Sequence, residues 1–212
     1  MKEYPKIETL FNRDPKNFKI MTNSVRLPEF RIVNRWYVTE KIDGTNVRIM
    51  WKPDEYRVIF GGRANNSQIP INLILYLQST FTPDLFSSFN KDMILFGEGY
   101  GEKIQKGGGN YCNGVSFRLF DVLIGEWWLE PESIAVISTE LGIKTVPDLG
   151  ILKVLPTTKE ELYSIVGTNS AVSRMESDTI HEPEGIVARS NPLLFTRRGD
   201  RLMWKLKFKD FA

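Results

Sequence analysis

The chain has 212 residues, of which 42% are hydrophobic and 25% charged, close to the average for soluble globular proteins. A chain of this length buries enough surface to hold a core unaided. These values exclude a disordered tail, a collagen-like fibre and a disulfide-stapled miniprotein. The formal net charge of +2 neither requires nor excludes a nucleic-acid partner.

The single cysteine, Cys112, and the single histidine, His181, exclude an internal disulfide and any site built from several histidines. Any metal would then be a hard cation held by carboxylates and phosphates. The chain starts without an apolar signal segment, and no apolar run approaches the roughly 18 residues of a membrane span. We therefore expect a reduced, cytoplasmic location and no membrane association.

Strand patterns come first along the chain. They predict strands at Trp36–Lys41 and Thr45–Trp51, bracketing a tight turn at Asp43 and Gly44, and a third strand at Tyr56–Phe60. Further on, the patterns predict helices at 68–79, with Pro70 in the first turn, at Pro131–Leu141 and at Thr158–Val166, and strands at Met93–Glu98, Ser116–Val122, Gly185–Arg189 and Arg201–Phe208.

The helix at Thr158–Val166 has the clearest boundaries, with a capping box from Thr158 to Glu161 and a stop at Gly167. Strands dominate both ends of the chain and helices lie between them. We therefore predict an α+β fold with antiparallel sheets flanked by helices. We expect late strands to pair with early ones, which favours a single domain.

The most distinctive local motif runs from Glu40 to Asn46, with Lys41 ending a strand beside the Asp43-Gly44 turn. A lysine at the end of a strand beside a glycine turn can be exposed into a cleft. The alternative interpretation is an ordinary hairpin whose turn is Asp-Gly and whose lysine is a surface charge. Taken alone, the motif favours the alternative.

A second motif, around Glu98, ends an apolar strand with a carboxylate between Gly97 and Gly99. We expect the glycines to allow close backbone approach to a ligand, and the carboxylate to bind a ribose hydroxyl or a metal-bound water. The Gly-x-Gly-x-Gly spacing without a following helix excludes a dinucleotide fingerprint. In the next strand, Phe117 fits a buried position, whereas Phe120 beside Asp121 could stack on a base.

The C-terminal part adds two motifs. Glu184 directly precedes a strand of buried type, and lysines alternate with apolar residues near the end. A strand period of two places Lys205, Lys207 and Lys209 on one face. The alternative to a row of cations facing an anionic substrate is an edge strand protected from aggregation by lysines.

Together, these motifs resemble in order those of the covalent nucleotidyltransferase superfamily, and most closely the RNA ligase 2-like ATP-dependent RNA ligases. The likeness covers about residues 36–209. It implies a single nucleotidyltransferase domain of the ATP-grasp-like ligase adenylation type over residues 1–212, without an OB or other C-terminal domain.

The resemblance also implies roles for individual residues. Lys41 would attack the α-phosphorus of ATP and carry AMP, and Lys205 and Lys207 would assist catalysis and grip the α-phosphate. Glu184 and Asp43 match the metal-site acids, the metal being Mg²⁺ or Mn²⁺. The matches to nucleotide-binding positions are Glu40, Asn46, Arg63, Glu98, Phe120, Lys205 and Lys207. Like-charge repulsion from Lys205 and Lys207 is expected to lower the pKa of Lys41.

The implied partners are RNA ends, in a nicked duplex or an RNA/DNA hybrid, sealed between a 5′-phosphate and a 3′-hydroxyl. Arg26, Arg31 and Arg35 could bind backbone phosphates or be solvated surface charges. Three alternatives stay open: a DNA nick ligase, a GTP-using capping enzyme, and a decayed module that binds nucleotide or RNA ends. The expected absence of an OB domain weighs against the first two. The intact Lys41, Glu98 and Glu184 weigh against the third.

Overall fold

The computed structural model describes residues 1–177 and 179–211. The backbone forms two compact units. Unit 1 comprises Met1–Tyr4 and Asp43–Val146, and unit 2 comprises Pro5–Ile42 and the chain from Pro147 onward. The single-domain organisation stays a prediction.

The secondary structure of the described residues is as follows. The strands are β1 (Glu8–Thr9), β2 (Phe11–Arg13), β3 (Ile20–Val25), β4 (Trp36–Lys41), β5 (Thr45–Lys52), β6 (Arg57–Gly61), β7 (Met93–Gly101), β8 (Val115–Ile124), β9 (Trp127–Trp128), β10 (Asp148–Leu152), β11 (Gly185–Ser190) and β12 (Met203–Lys207). The α-helices are α1 (Glu29–Ile32), α2 (Ile71–Thr80), α3 (Pro131–Glu140), α4 (Lys159–Val166) and α5 (Ala171–Glu176). Short 3-10 segments lie at Pro53–Glu55, Pro83–Phe86, Gly108–Asn110 and Phe208–Phe211.

Unit 1 is built on an antiparallel sheet with the strand order β6-β5-β7-β8-β9. Alternation along β5 sends Val47, Ile49 and Trp51 to the face where α2 and α3 pack, and these residues belong to the buried core of the unit. Asn46 and Arg48 therefore belong to the opposite face, which carries the polar groups.

Unit 2 is built on a mixed sheet with the order β1-β12-β11-β4-β10, in which β1 runs parallel to β12 and the other pairs are antiparallel. Its core includes Trp36 of β4, Ile186 of β11 and Trp204 of β12, together with Leu162 and other residues of α4. β2 and β3 form a separate two-stranded hairpin. The predicted α+β class is thus confirmed, and so is the pairing of late strands with early ones.

The local predictions hold best where the sequence carries a stop signal. β4 has the predicted bounds, and the Thr158 hydroxyl accepts the backbone N–H of Glu161 in the predicted capping box of α4. Gly167 ends that helix with a φ of 87°. α2 begins later than predicted, because Pro70 is its N-cap and not a first-turn residue. Within the described residues, no helix has the length and apolar character needed to cross a membrane.

Two predictions about strands are wrong. β4 and β5 do not pair with each other: β4 lies between β11 and β10, and β5 lies between β6 and β7. The Asp43-Gly44 turn is therefore not a hairpin turn, because the chain passes from unit 2 into unit 1 between Ile42 and Asp43. β12 ends at Lys207, and Lys209 lies in a 3-10 segment, so Lys209 does not continue the row of strand lysines.

Candidate active site

Three neighbouring strands of unit 2 bring Lys41 and Lys207 to the same rung of the sheet. Gly185 at the start of β11 pairs with Lys41 on one side and with Lys207 on the other. A Cβ at Gly185 would lie 2.1 Å from the Leu206 carbonyl oxygen and 2.7 Å from the Lys207 Cα, and its φ of 151° disfavours other residues. With no side chain between them, the two lysines can converge.

They converge on the carboxylate of Glu184, the residue before Gly185. The Lys41 and Lys207 ammonium groups each donate to a different Glu184 oxygen, and all three side chains are mostly buried. Burial raises the pKa of Glu184, but attraction and hydrogen bonds from the two lysines outweigh it and hold the pKa below its ordinary value. The cluster is thus a carboxylate shared by two cations.

Lys205 belongs to the same strand face, one rung away from this cluster. It pairs with Val187 of β11 and with Thr9 of β1. Period two places its side chain on the same side of the sheet as that of Lys207. The structure therefore brings Lys41, Glu184 and Lys207 into direct contact and places Lys205 beside them.

The side chain of Glu40 is directed into the interior of unit 2. The carboxylate accepts hydrogen bonds from the Ser170 hydroxyl and from the backbone N–H of Ala171 at 2.9 Å, and the residue is only 1% exposed. These bonds anchor the end of β4 beside Lys41 to the start of α5. The contact of Glu40 with a nucleotide stays a prediction.

Unit 1 presents a second set of polar groups on the sheet face that α2 and α3 leave uncovered. Asn46 of β5 pairs with Glu98 of β7, which pairs in turn with Arg118 of β8. Asn46 Oδ1 is buried and accepts no hydrogen bond from any described residue. A buried acceptor without a donor is costly, so this atom indicates a place for a ligand donor.

Phe120 belongs to the same region and is displaced from the regular strand pattern. The β7–β8 register shifts between Phe96, which pairs with Asp121, and Gly97, which pairs with Leu119. Phe120 is the extra residue of the resulting β-bulge, a feature that re-aims a side chain. Its ring is half-buried and meets the Tyr4 ring edge-on at 5.0 Å. Phe117, by contrast, is in the core as predicted.

Arg63 lies beyond the end of β6, in an exposed loop and not on a strand. The residue that holds this loop is Arg48, to which the sequence motifs gave no role. The Arg48 guanidinium donates to the Gly62 carbonyl at 2.6 Å and to Asn65 Oδ1 at 3.2 Å. It also donates to the carbonyls of Met1 and Lys2, and desolvation by burial lowers its pKa against the opposing effect of Glu3. The signal was an arginine between Val47 and Ile49 in an apolar strand.

Tyr111 of unit 1 holds the backbone at the start of the Asp43-Gly44 turn. Its hydroxyl accepts the backbone N–H of Asp43 at 3.2 Å, and the Gly44 carbonyl accepts from Gln105 at 3.1 Å. A Cβ at Gly44 would lie 2.3 Å from the Gly99 carbonyl oxygen, so the turn approaches β7 closely. Buried Tyr111 thus fixes the backbone of Asp43, whose metal role stays a prediction.

The glycines flanking Glu98 have a different purpose from the one expected. A Cβ at Gly97 would lie 2.1 Å from the Phe117 ring, and one at Gly99 would lie 2.4 Å from Leu73. Both neighbours belong to the core of unit 1. The expectation that these glycines open the backbone to a ligand is therefore wrong: they make room for the unit's own packing.

The residues present fit a nucleotide and a hard cation, provided that the substrate phosphates supply part of the ligands of the cation. Among the described residues, no group of three or more His, Cys, Asp or Glu side chains is arranged to hold a metal. Mg²⁺ is commonly held by one or two carboxylates plus substrate phosphates, and Glu184 would supply one such carboxylate on leaving its lysine partners. Within unit 2, the lysine cluster suits phosphates. Within unit 1, Asn46 Oδ1, which accepts no hydrogen bond from the described residues, suits a ligand donor.

Comparison with known proteins gives the following matches. Residues 34–207 match the RNA ligase family. A Naegleria gruberi RNA ligase solved with pyrophosphate has a TM-score of 0.64 and 20% identity, and the match covers 98% of this chain and 62% of that one. A variant of that enzyme with ATP and Mn has a TM-score of 0.64 and 19% identity, with coverages of 99% and 64%.

A third structure of the Naegleria gruberi enzyme, a variant with AMP and Mn, has a TM-score of 0.62 and 20% identity and covers 98% of this chain and 62% of that one. The chain thus spans about three fifths of the length of these solved chains. No curated protein sequence matches it significantly.

Proposed function

The chain belongs to the RNA ligase family, and from this membership we propose that it is an ATP-dependent RNA ligase that works through a lysyl-AMP intermediate. The observation that carries the proposal is the convergence of Lys41 and Lys207 on Glu184 above Gly185. This contact holds a strand-end lysine beside a second lysine, and once the ion pair opens the first can act as a nucleophile while the second binds phosphate. The substrates are RNA ends with a 5′-phosphate and a 3′-hydroxyl.

In the first step, Lys41 Nζ attacks the α-phosphorus of ATP. A nitrogen–phosphorus bond forms, the bond from the α-phosphorus to the bridging oxygen breaks, and pyrophosphate leaves. An ammonium group has no free electron pair, so Lys41 must first separate from Glu184 and pass a proton to solvent. The chemistry therefore begins with a rearrangement of this ion pair.

The remaining cations of unit 2 act on the phosphates. Lys207 and Lys205, on the same strand face, neutralise charge that develops on the α-phosphate and on the leaving pyrophosphate. A divalent cation held by Glu184 and phosphate oxygens would supply further charge neutralisation. For Asn46, Glu98 and Phe120 of unit 1, the expected role is that of nucleoside-binding residues, through hydrogen bonds and ring stacking.

Two further steps complete the reaction. The 5′-phosphate of one RNA end attacks the phosphorus of lysyl-AMP, which releases Lys41 and gives an adenylylated end. The 3′-hydroxyl of the other end then attacks the 5′-phosphorus, AMP leaves, and a phosphodiester bond forms. Positioning and electrostatic stabilisation account for most of the catalysis expected in such transfers.

The experiment that tests this proposal is incubation of the purified protein with Mg²⁺ and α-labelled ATP or GTP, followed by denaturing electrophoresis. Label from ATP that pyrophosphate removes, and that then passes to a 5′-phosphorylated nicked RNA duplex, is the expected result. A duplex nicked in DNA is the matched control. Label from GTP alone would indicate a capping enzyme, and sealing of the DNA nick alone a DNA ligase.

A complete lack of label would contradict the proposal, provided the protein is folded and mass spectrometry shows no AMP already attached. The Lys41→Ala variant is expected to give no adduct. Lys153→Ala, an exposed lysine of the same unit, is the control and is expected to label like the parent.

A further inference from the structure

The β2–β3 hairpin of unit 2 ends in an ordered turn. The backbone N–H of Asp14 donates to the Lys19 carbonyl at 2.8 Å, and that of Phe18 donates to the Asp14 carbonyl at 2.8 Å. The Asp14 carboxylate also accepts the backbone N–H of Lys16 at 2.7 Å, and Asn17 Oδ1 accepts that of Lys19 at 2.9 Å. Four hydrogen bonds thus define one conformation for a six-residue turn.

Phe18 is the least expected residue for this turn. Its φ of 60° is left-handed, a conformation that favours glycine or asparagine, and its side chain is 70% exposed. Phe18 therefore has an unfavourable backbone conformation, and its ring is exposed to solvent and adds little to the packing of the core. An outlier of this kind supports a functional role for the ring.

The turn also concentrates positive charge. Lys16 and Lys19 flank Phe18, both are exposed, and within residues 1–177 and 179–211 neither forms an ion pair. Residues 13–35 contain six Lys and Arg against two Asp and Glu, a formal charge of +4, of which Arg13 and Arg26 pair with Asp210 and Glu8 outside that segment. An exposed ring between two free ammonium groups matches a strand that offers bases and phosphates.

Side-chain bonds attach this turn to the strand that carries Lys207. The Arg13 guanidinium donates to the Phe18 carbonyl at 2.8 Å and to one oxygen of Asp210. The other Asp210 oxygen accepts the backbone N–H of Lys207 at 2.9 Å, and Asp210 is buried. The turn is therefore held at the end of the sheet where Lys41, Glu184 and Lys207 meet.

We propose that this turn is an RNA-binding element, in which Phe18 stacks on a base next to the ends being joined and Lys16 and Lys19 bind the adjoining phosphates. The inference rests on the proposed ligase function and adds to it a surface that grips the substrate strand. Stacking tolerates any base, and lysine–phosphate contacts carry no sequence information, so the element selects a nucleic-acid strand and not a particular sequence.

The test measures the affinity of the full chain for a fluorescent nicked RNA duplex across a salt series, with Phe18→Gly, Phe18→Trp and a Lys16→Ala/Lys19→Ala double variant. Phe18→Gly is expected to weaken binding about tenfold, and Phe18→Trp to retain it. The double variant is expected to lower the slope of log affinity against log salt by about one to two units. All three are expected to form lysyl-AMP like the parent protein.

Thermal unfolding separates a binding role from a structural one. Phe18→Gly removes the unfavourable backbone conformation, so its melting temperature is expected to equal or exceed that of the parent. Controls come from the opposite end of the same sheet: Phe195→Ala, which removes a 52% exposed ring, and Arg197→Ala/Arg198→Ala are expected to bind RNA normally.

Unchanged RNA affinity of the Phe18→Gly and double-lysine variants would overturn the inference and assign the turn to another partner, such as an acidic protein surface. Equal loss in the Phe195 and Arg197/Arg198 controls would overturn it too, since binding would then depend on general surface charge. Absence of lysyl-AMP in the parent protein would contradict the ligase function itself, and the binding comparison would still report on the turn.

Discussion

The two units of the chain use polar groups in opposite ways. Unit 2 collects formal charges at one end of its sheet, where Lys41 and Lys207 neutralise Glu184. Unit 1 distributes polar groups over a sheet face, where Asn46 Oδ1 accepts no hydrogen bond from the part of the chain that the structure describes. Lysines held by a shared carboxylate suit the binding of phosphates, whereas an amide oxygen without a donor suits the recognition of a nucleoside. The comparison predicts that variants in unit 2 impair the chemical step and that variants in unit 1 impair nucleotide binding.

The largest effect is expected from Glu184→Gln. The amide keeps the shape of the side chain but leaves Lys41 and Lys207 as close like charges without a shared anion. The rate of lysyl-AMP formation at saturating ATP is expected to fall by about 10²-fold. Rapid-quench measurement with labelled ATP gives this rate, and Glu160→Gln, an exposed acid of unit 2, is the control.

If Glu184→Gln lowered only the affinity for ATP and left the maximal rate unchanged, the assignment of the chemical step to unit 2 would be wrong. The Glu184→Gln variant would then show impaired nucleotide binding, the effect that we expect of variants in unit 1.

A smaller effect of the opposite kind is expected from Asn46→Ala in unit 1. Loss of one hydrogen-bonding group to the nucleoside is expected to raise the ATP concentration at half-maximal rate about tenfold. The maximal rate of adenylylation is expected to change little. Steady-state kinetics over a range of ATP concentrations measure both quantities. Asn90 is an exposed residue of the same unit, and Asn90→Ala is expected to match the parent. A large fall in maximal rate without a change in ATP dependence would contradict this role.

The smallest effect concerns the stability of unit 2 at acid pH. The pKa of Glu184 lies below its ordinary value of 4.5 when folded, so its stabilisation is present above the unfolded-state pKa and is lost as the pH falls through the folded-state pKa. The parent protein is therefore expected to lose more stability than Glu184→Gln as the pH falls from 6 towards 3.

Urea unfolding at each pH measures this difference, which is expected to be on the order of 1 kcal/mol. Parallel stability curves for the two proteins would show that Glu184 has the same pKa in the folded and unfolded states, against the ion-pair cluster described above.

Much of the local structure could be predicted from the sequence because its signals are local. Thr158 and Gly167 delimit a helix through contacts within a few residues, and strand alternation places Lys205 and Lys207 on one face. Pairing partners are not local: the Asp43-Gly44 turn has the composition of a hairpin, yet its flanking strands join different sheets. Composition alone could not distinguish these two outcomes.

The site shows the same division between local and distant information. Family resemblance could propose Lys41 and Glu184, but their contact joins residues 143 positions apart and depends on Gly185 having no side chain. The role of Gly97 also depends on a residue distant in sequence, because Gly97 packs against the Phe117 ring and does not face a ligand. The β2–β3 hairpin lacked clear alternation, so its ordered turn was visible only in three dimensions.

The proposed ligase function depends above all on Lys41 being the residue that carries AMP. The most direct measurement is peptide mapping by mass spectrometry after incubation of the protein with ATP and Mg²⁺, in parallel with Lys41→Ala and Lys153→Ala. We expect AMP on Lys41 in the parent and in Lys153→Ala, and on no peptide of Lys41→Ala. AMP on another lysine, or an adduct that persists in a folded Lys41→Ala protein, would contradict it.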